Sequence, residues 1–192
     1  MMDSQRQRRF YARSAWAWLA VIVAAVLTAG AVTWWQSRPP EIPDGFSADA
    51  AAAELIRVVD GDTIVVELGG EEERVRLLNI DTPETVSPQA PVECGGREAS
   101  EAISGLLSPG DVVVLEFDQR QRDHYGRLLA GVFAEELFIN EEMALRGWGE
   151  PAYFAPNDRY LEVIEAAWTQ AEAAGEGLFS EDLGCHAGEP VG

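Results

Sequence analysis

Apolar and polar positions alternate through two short runs, residues 54–60 (ELIRVVD) and 62–68 (DTIVVEL), with Gly61 between them. A period of two belongs to half-buried strands, and Asp-Gly between such runs predicts a hairpin at Asp60-Gly61-Asp62, Gly61 taking the positive φ of a primed turn. Gly69-Gly70 turns the chain into a third strand, Glu73 to Ile80, and prolines and glycines then make Asp81 to Gly96 a long loop. The period changes at residues 97–107, where Ala99, Ala102, Ile103, Leu106 and Leu107 share a helical face that Ser108-Pro109-Gly110 ends. Two more strands, 112–117 and 128–134, flank the polar stretch DQRQRDHYGR. A short helix over 139–146 precedes a longer one over 157–174, with Asn157 as N-cap and Gly175 as stop.

Five strands with a helix after the third match an OB-fold, a small, partly open Greek-key barrel, although an unrelated five-stranded α+β sheet gives a similar string. Ahead of this domain, residues 15–35 carry no charge over a length that spans a hydrocarbon layer as a helix, with Trp34 and Trp35 where an interfacial belt falls. Arg6, Arg8, Arg9 and Arg13 precede the segment, so the positive-inside rule puts the N-terminus in the cytoplasm and the domain outside. A cleaved signal peptide, giving a secreted protein, is the competing reading. The expected organisation is a basic N-terminus (1–14), a transmembrane anchor (15–35), a proline-bearing linker (36–53), the domain (54–180) and a tail (181–192).

Composition changes this picture in two ways. All fourteen basic residues are arginine, and from residue 41 onward nine arginines face thirty-two acids, a net charge of −23. Such a surface repels polyanions at low salt and suits a protein adapted to high salt. Cys94 and Cys185 both fall outside the membrane, where one disulfide is the expected state; a thiol metal site with His186 is the weaker alternative.

The chemistry-bearing residues gather around the third strand, which ends VRLLNIDTPET at residues 75–85. Arg76 interrupts an apolar strand, and Asp81, Thr82 and Glu84 cluster where it enters the loop. Each has a bland reading as surface group or turn residue. Antiparallel pairing, however, can bring the Asp60–Asp62 turn beside Asp81, and two carboxylates with a backbone carbonyl and waters make an oxygen-rich site for a hard divalent cation such as calcium. Arg120, Arg122 and Arg127 lie close together in an otherwise acidic domain, as anion ligands or as partners of surface acids.

VVDGDT (58–63), VRLLNIDTPET (75–85), GREAS (96–100), DHYGRLLA (123–130) and the segment NEEMALRGWGEPAY ending at Tyr153 occur in one order across residues 54–180, and together they resemble the staphylococcal nuclease (thermonuclease) family. The resemblance implies an α+β fold dominated by β, an OB-fold five-stranded barrel with about three helices, and a calcium-dependent phosphodiesterase acting on DNA and RNA that leaves 3′-phosphate ends. It implies Asp62, Asp81 and the Thr82 carbonyl as Ca²⁺ ligands, with Asp60 nearby through water. Glu84 is then the general base, Arg76 and Arg127 the phosphate and transition-state clamps, and Tyr125 and Tyr153 the nucleotide pocket. Against the family's best-known member, which is basic, this domain is acidic, and the cysteine pair and anchor are additions. No protein partner is evident and a monomer is expected. The alternative function is a catalytically weak or inactive OB-fold module that binds nucleic acid or calcium at the cell surface.

Overall fold

The hairpin lies where the alternation places it. In the computed structural model, which describes Val26, Thr28 and residues 42–85 and 92–184, strand β1 (Ala51–Asp60) pairs antiparallel with β2 (Thr63–Leu68), and Asp60 faces Thr63 across the turn. Gly61, however, is not among the described glycines with positive φ. It is required by a close approach: a Cβ there would stand 2.7 Å from the Thr82 hydroxyl and 2.9 Å from the Ala99 methyl.

β2 pairs with β3 (Glu71–Leu77), β1 with β5 (Val112–Arg122), and β5 with β6 (Leu128–Ala134), all antiparallel. β6 then returns to β3 in parallel, Val75 to Leu77 beside Leu128 to Ala130, and closes a five-stranded barrel. Closure leaves β3 and β6 with no free edge between them. Two-residue strands β4 (Ile80–Asp81), β7 (Leu137–Phe138) and β8 (Glu150–Pro151) complete the set, β4 pairing with β8. Helices α1 (Gly96–Leu106), α2 (Ile139–Leu145) and α3 (Leu161–Ala174) send Ala99, Ile103, Met143 and Ile164 into the core built on Leu55, Ile64, Val75, Leu77 and Leu115.

Several expected boundaries move. β1 begins at Ala51, inside the expected linker, because Ala51 to Glu54 pair with Val112 to Leu115. The third strand stops at Leu77, since Asn79 adopts φ 61° and reverses the chain before β4. β5 continues through the polar residues to Arg122, where it meets Leu128 after a break in register. α3 starts at Leu161 rather than Asn157, and Asn157 is no cap. Its fully buried amide accepts from the Arg120 N–H and donates to the Arg120 carbonyl, both at 2.8 Å, tying the start of α3 to β5. Gly175 ends α3 in the left-handed conformation as expected.

The expected transmembrane segment lies outside the described residues except for Val26 and Thr28, both helical. Among the described residues no helix is long and apolar enough to cross a membrane. Cys94 is fully buried and disulfide-bonded, while Cys185 lies outside the described residues.

Candidate active site

The turn after β1, the end of β3, the short β4 and the start of β6 meet at one side of the barrel. There a cleft of about 170 Å³ is lined by Asp60, Asp62, Arg76, Asp81, Thr82, Glu84 and Arg127. All seven side chains come from positions singled out in the sequence.

Asp62 is its buried anchor, 5% exposed. One carboxylate oxygen accepts from the Thr63 hydroxyl at 3.0 Å; the other accepts from the Thr82 amide and hydroxyl, both at 3.0 Å. The second oxygen also lies 2.9 Å from Nη2 of Arg76, so the turn at Asp60–Asp62 is fastened to the end of β3. Arg76 is itself 5% exposed. Its Nη1 donates to the carbonyls of Ile80 (2.8 Å) and Leu77 (3.2 Å), and its Nη2 also pairs with Asp81. The Phe154 ring lies 5.1 Å from the guanidinium carbon. A guanidinium suits this burial because its planar fork meets four acceptors at once. The two carboxylates differ: the Asp62 side chain is 8% exposed and that of Asp81 67%, so Asp81 is the partner free to exchange.

Backbone geometry behind the cleft comes largely from residues that lie inside the quoted motifs but were given no role of their own. Asn79, fully buried, donates to the carbonyls of Ala152 and Asn157 and accepts from the Tyr160 amide, which fixes the reversal that aims the Ile80 carbonyl and Asp81 at Arg76. Asn140 accepts from the Val132 amide at 2.9 Å and donates to the Leu78 carbonyl at 2.8 Å, bracing the seam between β3 and β6. Glu84 is carried by a loop whose base is closed where the Glu93 amide donates to the Glu84 carbonyl and the Glu84 amide to the Glu93 carboxylate, both at 3.0 Å. Gly96 lets α1 pack under this loop, since a Cβ there would come within 2.9 Å of the Glu84 carbonyl oxygen.

The three arginines of the polar stretch separate. Arg122 forks onto both carboxylate oxygens of Glu73 at 2.9 and 2.7 Å, the surface-pair alternative. Arg120 has its backbone held by Asn157 and lies outside the cleft. Only Arg127 reaches it, with Nε on Asp123 at 2.7 Å and its guanidinium carbon 5.6 Å from the centroid of the Tyr125 ring. Tyr125 and Tyr153 are 75% and 60% exposed and are not among the residues lining the cleft.

Charge is concentrated here. Burial, then the neighbouring Asp62 charge, pushes the Asp60 carboxyl up to about 7. Burial also raises Asp81, against the opposing pull of Arg76. Among the described residues no three histidine, cysteine or acidic side chains stand close enough together to hold a metal by themselves.

The family model described as staphylococcal nuclease homologue matches residues 74–181. A thermonuclease from Staphylococcus hyicus is 35% identical over 162 residues, covering 84% of this chain and 95% of the relative. A thermonuclease from Staphylococcus intermedius is 41% identical over 116 residues, 60% of this chain and 68% of the relative. The Bacillus subtilis (strain 168) endonuclease YncB is 40% identical over 129 residues, 66% of this chain and 61% of the relative. With more than half its length matched to the family model and a closed five-stranded barrel consistent with that family's fold, the chain belongs to the staphylococcal nuclease homologue family and is a hydrolase of the nuclease class.

Proposed function

We propose that the chain is a calcium-dependent nuclease that hydrolyses phosphodiester bonds of DNA and RNA and leaves 3′-phosphate ends. The observation that carries this reading is the convergence of a carboxylate, Glu84, and two guanidinium groups, Arg76 and Arg127, on one small acid-lined cleft. Phosphodiester hydrolysis requires an activated water and cations against the oxygens where negative charge builds up. Glu84 takes the proton of the attacking water, and Arg127 and Arg76 face the phosphate oxygens. Because Arg76 already meets Asp62 and Asp81, its engagement with phosphate draws on the exposed Asp81 contact and leaves Asp62 in place.

The donor set fits a hard cation. Asp62 and Asp81 would hold it through carboxylate oxygens, Thr82 through its carbonyl, and Asp60 through water. The upward displacement of Asp60 reflects a carboxylate drawn away from water beside the Asp62 charge, and a cation relieves that crowding. Bound calcium supplies Lewis-acid polarisation of the phosphoryl group. The tyrosines serve best at the rim: Tyr125, against Arg127, and exposed Tyr153 offer rings to a base outside the cleft.

The uncharged segment 15–35 and its arginine flank support a membrane-tethered, extracytoplasmic enzyme, and the disulfide-bonded Cys94 supports an oxidising compartment. Alkaline carbonate extraction of membranes tests the tether; release of the chain into the soluble fraction counts against it. For the activity, the full-length chain is incubated with single-stranded DNA in calcium and then in chelator, beside Glu84→Gln. Calcium-dependent cleavage that Glu84→Gln abolishes, with ends that a polymerase extends only after phosphatase treatment, is the expected result. Equal cleavage by wild type and Glu84→Gln sinks the assignment.

A further inference from the structure

Resting on the nuclease reading above, we infer that Asp123 is a positioning residue that presents the Arg127 guanidinium to the cleft. The two cleft arginines are held in different ways. Arg76 has both terminal nitrogens occupied, Nη1 by the Leu77 and Ile80 carbonyls and Nη2 by Asp62 and Asp81. Arg127 is held only at Nε, by Asp123 Oδ2 at 2.7 Å, and among the described residues its terminal nitrogens have no hydrogen-bond partner. A guanidinium gripped at Nε keeps its Nη edge available for two oxygens of one phosphate, the bidentate geometry that a flexible cation lacks.

The grip is built into the turn. Asp123 Oδ1 accepts from the backbone amides of Tyr125 and Arg127, both at 2.9 Å, while its own amide donates to the Arg127 carbonyl at 3.0 Å. One carboxylate therefore folds the turn with one oxygen and aims the side chain with the other. The Asp123 side chain is 12% exposed and that of Arg127 27%, so water reaches the pair only in part.

This division of labour allows the two roles to be separated. In Asp123→Asn the amide oxygen remains an acceptor for the two backbone N–H groups. The amide nitrogen then replaces Oδ2 and sets a donor against the Arg127 Nε–H. Flipping the amide does not help, because it would set the same donor against two backbone donors. The turn survives and the aim is lost. Simple electrostatics predicts the opposite effect on binding, since removing a negative charge beside Arg127 strengthens attraction for a polyanion.

The test measures kcat, KM and melting temperature for the full-length wild type, Asp123→Asn, Arg127→Ala and the double variant on single-stranded DNA. Positioning predicts that Asp123→Asn lowers kcat by roughly tenfold or more, within the range seen when a catalytic group is misplaced. It also predicts an unchanged or lower KM, a melting temperature close to wild type, and no further loss when Asp123→Asn is added to Arg127→Ala. Wild-type kcat in Asp123→Asn beside an impaired Arg127→Ala overturns the inference. So does a loss that tracks a lowered melting temperature and persists undiminished in the Arg127→Ala background. A wild type without cleavage overturns the nuclease reading itself and this inference with it, whereas an Arg127→Ala variant that cleaves like wild type overturns the inference and leaves the nuclease reading standing.

Discussion

Arg76→Ala tests whether the cleft is held together by its buried ion pair. The substitution removes the donor to two carbonyls and the cation beside Asp62, a carboxylate only 5% exposed. Breaking one side of a buried pair typically costs about 3–5 kcal/mol, because the remaining charge is left uncompensated. Asp62 keeps three donors, the Thr63 hydroxyl and the Thr82 amide and hydroxyl, and Asp81 can turn to water, so the lower end applies. About 3 kcal/mol in a domain of this size corresponds to a fall of roughly 6–12 °C in melting temperature. Arg127→Ala, by contrast, breaks a partly exposed pair and should cost less than about 1 kcal/mol.

Calorimetry in chelator, which keeps added cations away from Asp62, reads the difference. Adding Asp62→Asn to Arg76→Ala should recover part of the loss, since the stranded charge and not the missing side chain is the main cost. An Arg76→Ala melting temperature within about 1 °C of wild type would refute the reasoning. It would mean that the guanidinium lies against Asp62 without stabilising the barrel, and that any activity lost in the variant is purely catalytic.

Gly61→Ala forces a methyl to 2.7 Å from the Thr82 hydroxyl and 2.9 Å from Ala99, and should destabilise by about 1–3 kcal/mol in chemical denaturation. A neutral result would show that the Thr82 loop yields. Glu54, Glu67 and Glu72 stand directly opposite one another across β1, β2 and β3, all exposed. Glu67→Lys should therefore add about 0.5–1 kcal/mol in low salt, the gain shrinking as salt rises; a salt-independent change counts against the ladder. Burial pushes the Glu116 carboxyl up, but donors from Tyr160 and Ser47 and the Arg159 charge outweigh it and hold it below the usual value. Glu116 thus contributes stability above the carboxylate range that is lost as pH falls through its lowered folded value. Glu116→Gln should flatten this part of the acid-unfolding curve, and an unchanged curve would remove Glu116 from the account.

The hairpin, the strand seeds and most of the cleft were legible in the sequence because they rest on local signals: a period of two, Asp-Gly at a turn, and an arginine in an apolar strand. What was not legible depends on contacts distant along the chain. Gly61 reads as a positive-φ turn residue, yet its need arises from Thr82 and Ala99 packing onto it. Asn157 carries the chemistry of a helix cap, but the backbone of Arg120 claims it first. Arg122 and Arg127 look equivalent in the sequence, and only the partners Glu73 and Asp123 assign one to the surface and the other to the cleft. The polar end of β5 looks like a loop because residues 119–122 face solvent and carry no apolar alternation.

The negative charge of the domain and the arginines of its cleft act over different distances. Of the nine arginines that oppose thirty-two acids after residue 40, five are paired with acids among the described residues: Arg76, Arg122, Arg127, Arg146 and Arg159. The long-range field therefore repels a polyanion, and that repulsion decays over about 8 Å at physiological ionic strength and over less at higher salt. Within the cleft the Nη edge of Arg127 and the shielded Arg76 act at contact distance, where screening by salt is weak. Rising salt then relieves the barrier to encounter before it weakens the contacts that matter for reaction. For a basic nuclease the same salt removes the attraction that brings substrate in. Under the proposed function, the acidic surface sets the ionic strength at which substrate arrives, while Glu84, Arg76 and Arg127 set the chemistry.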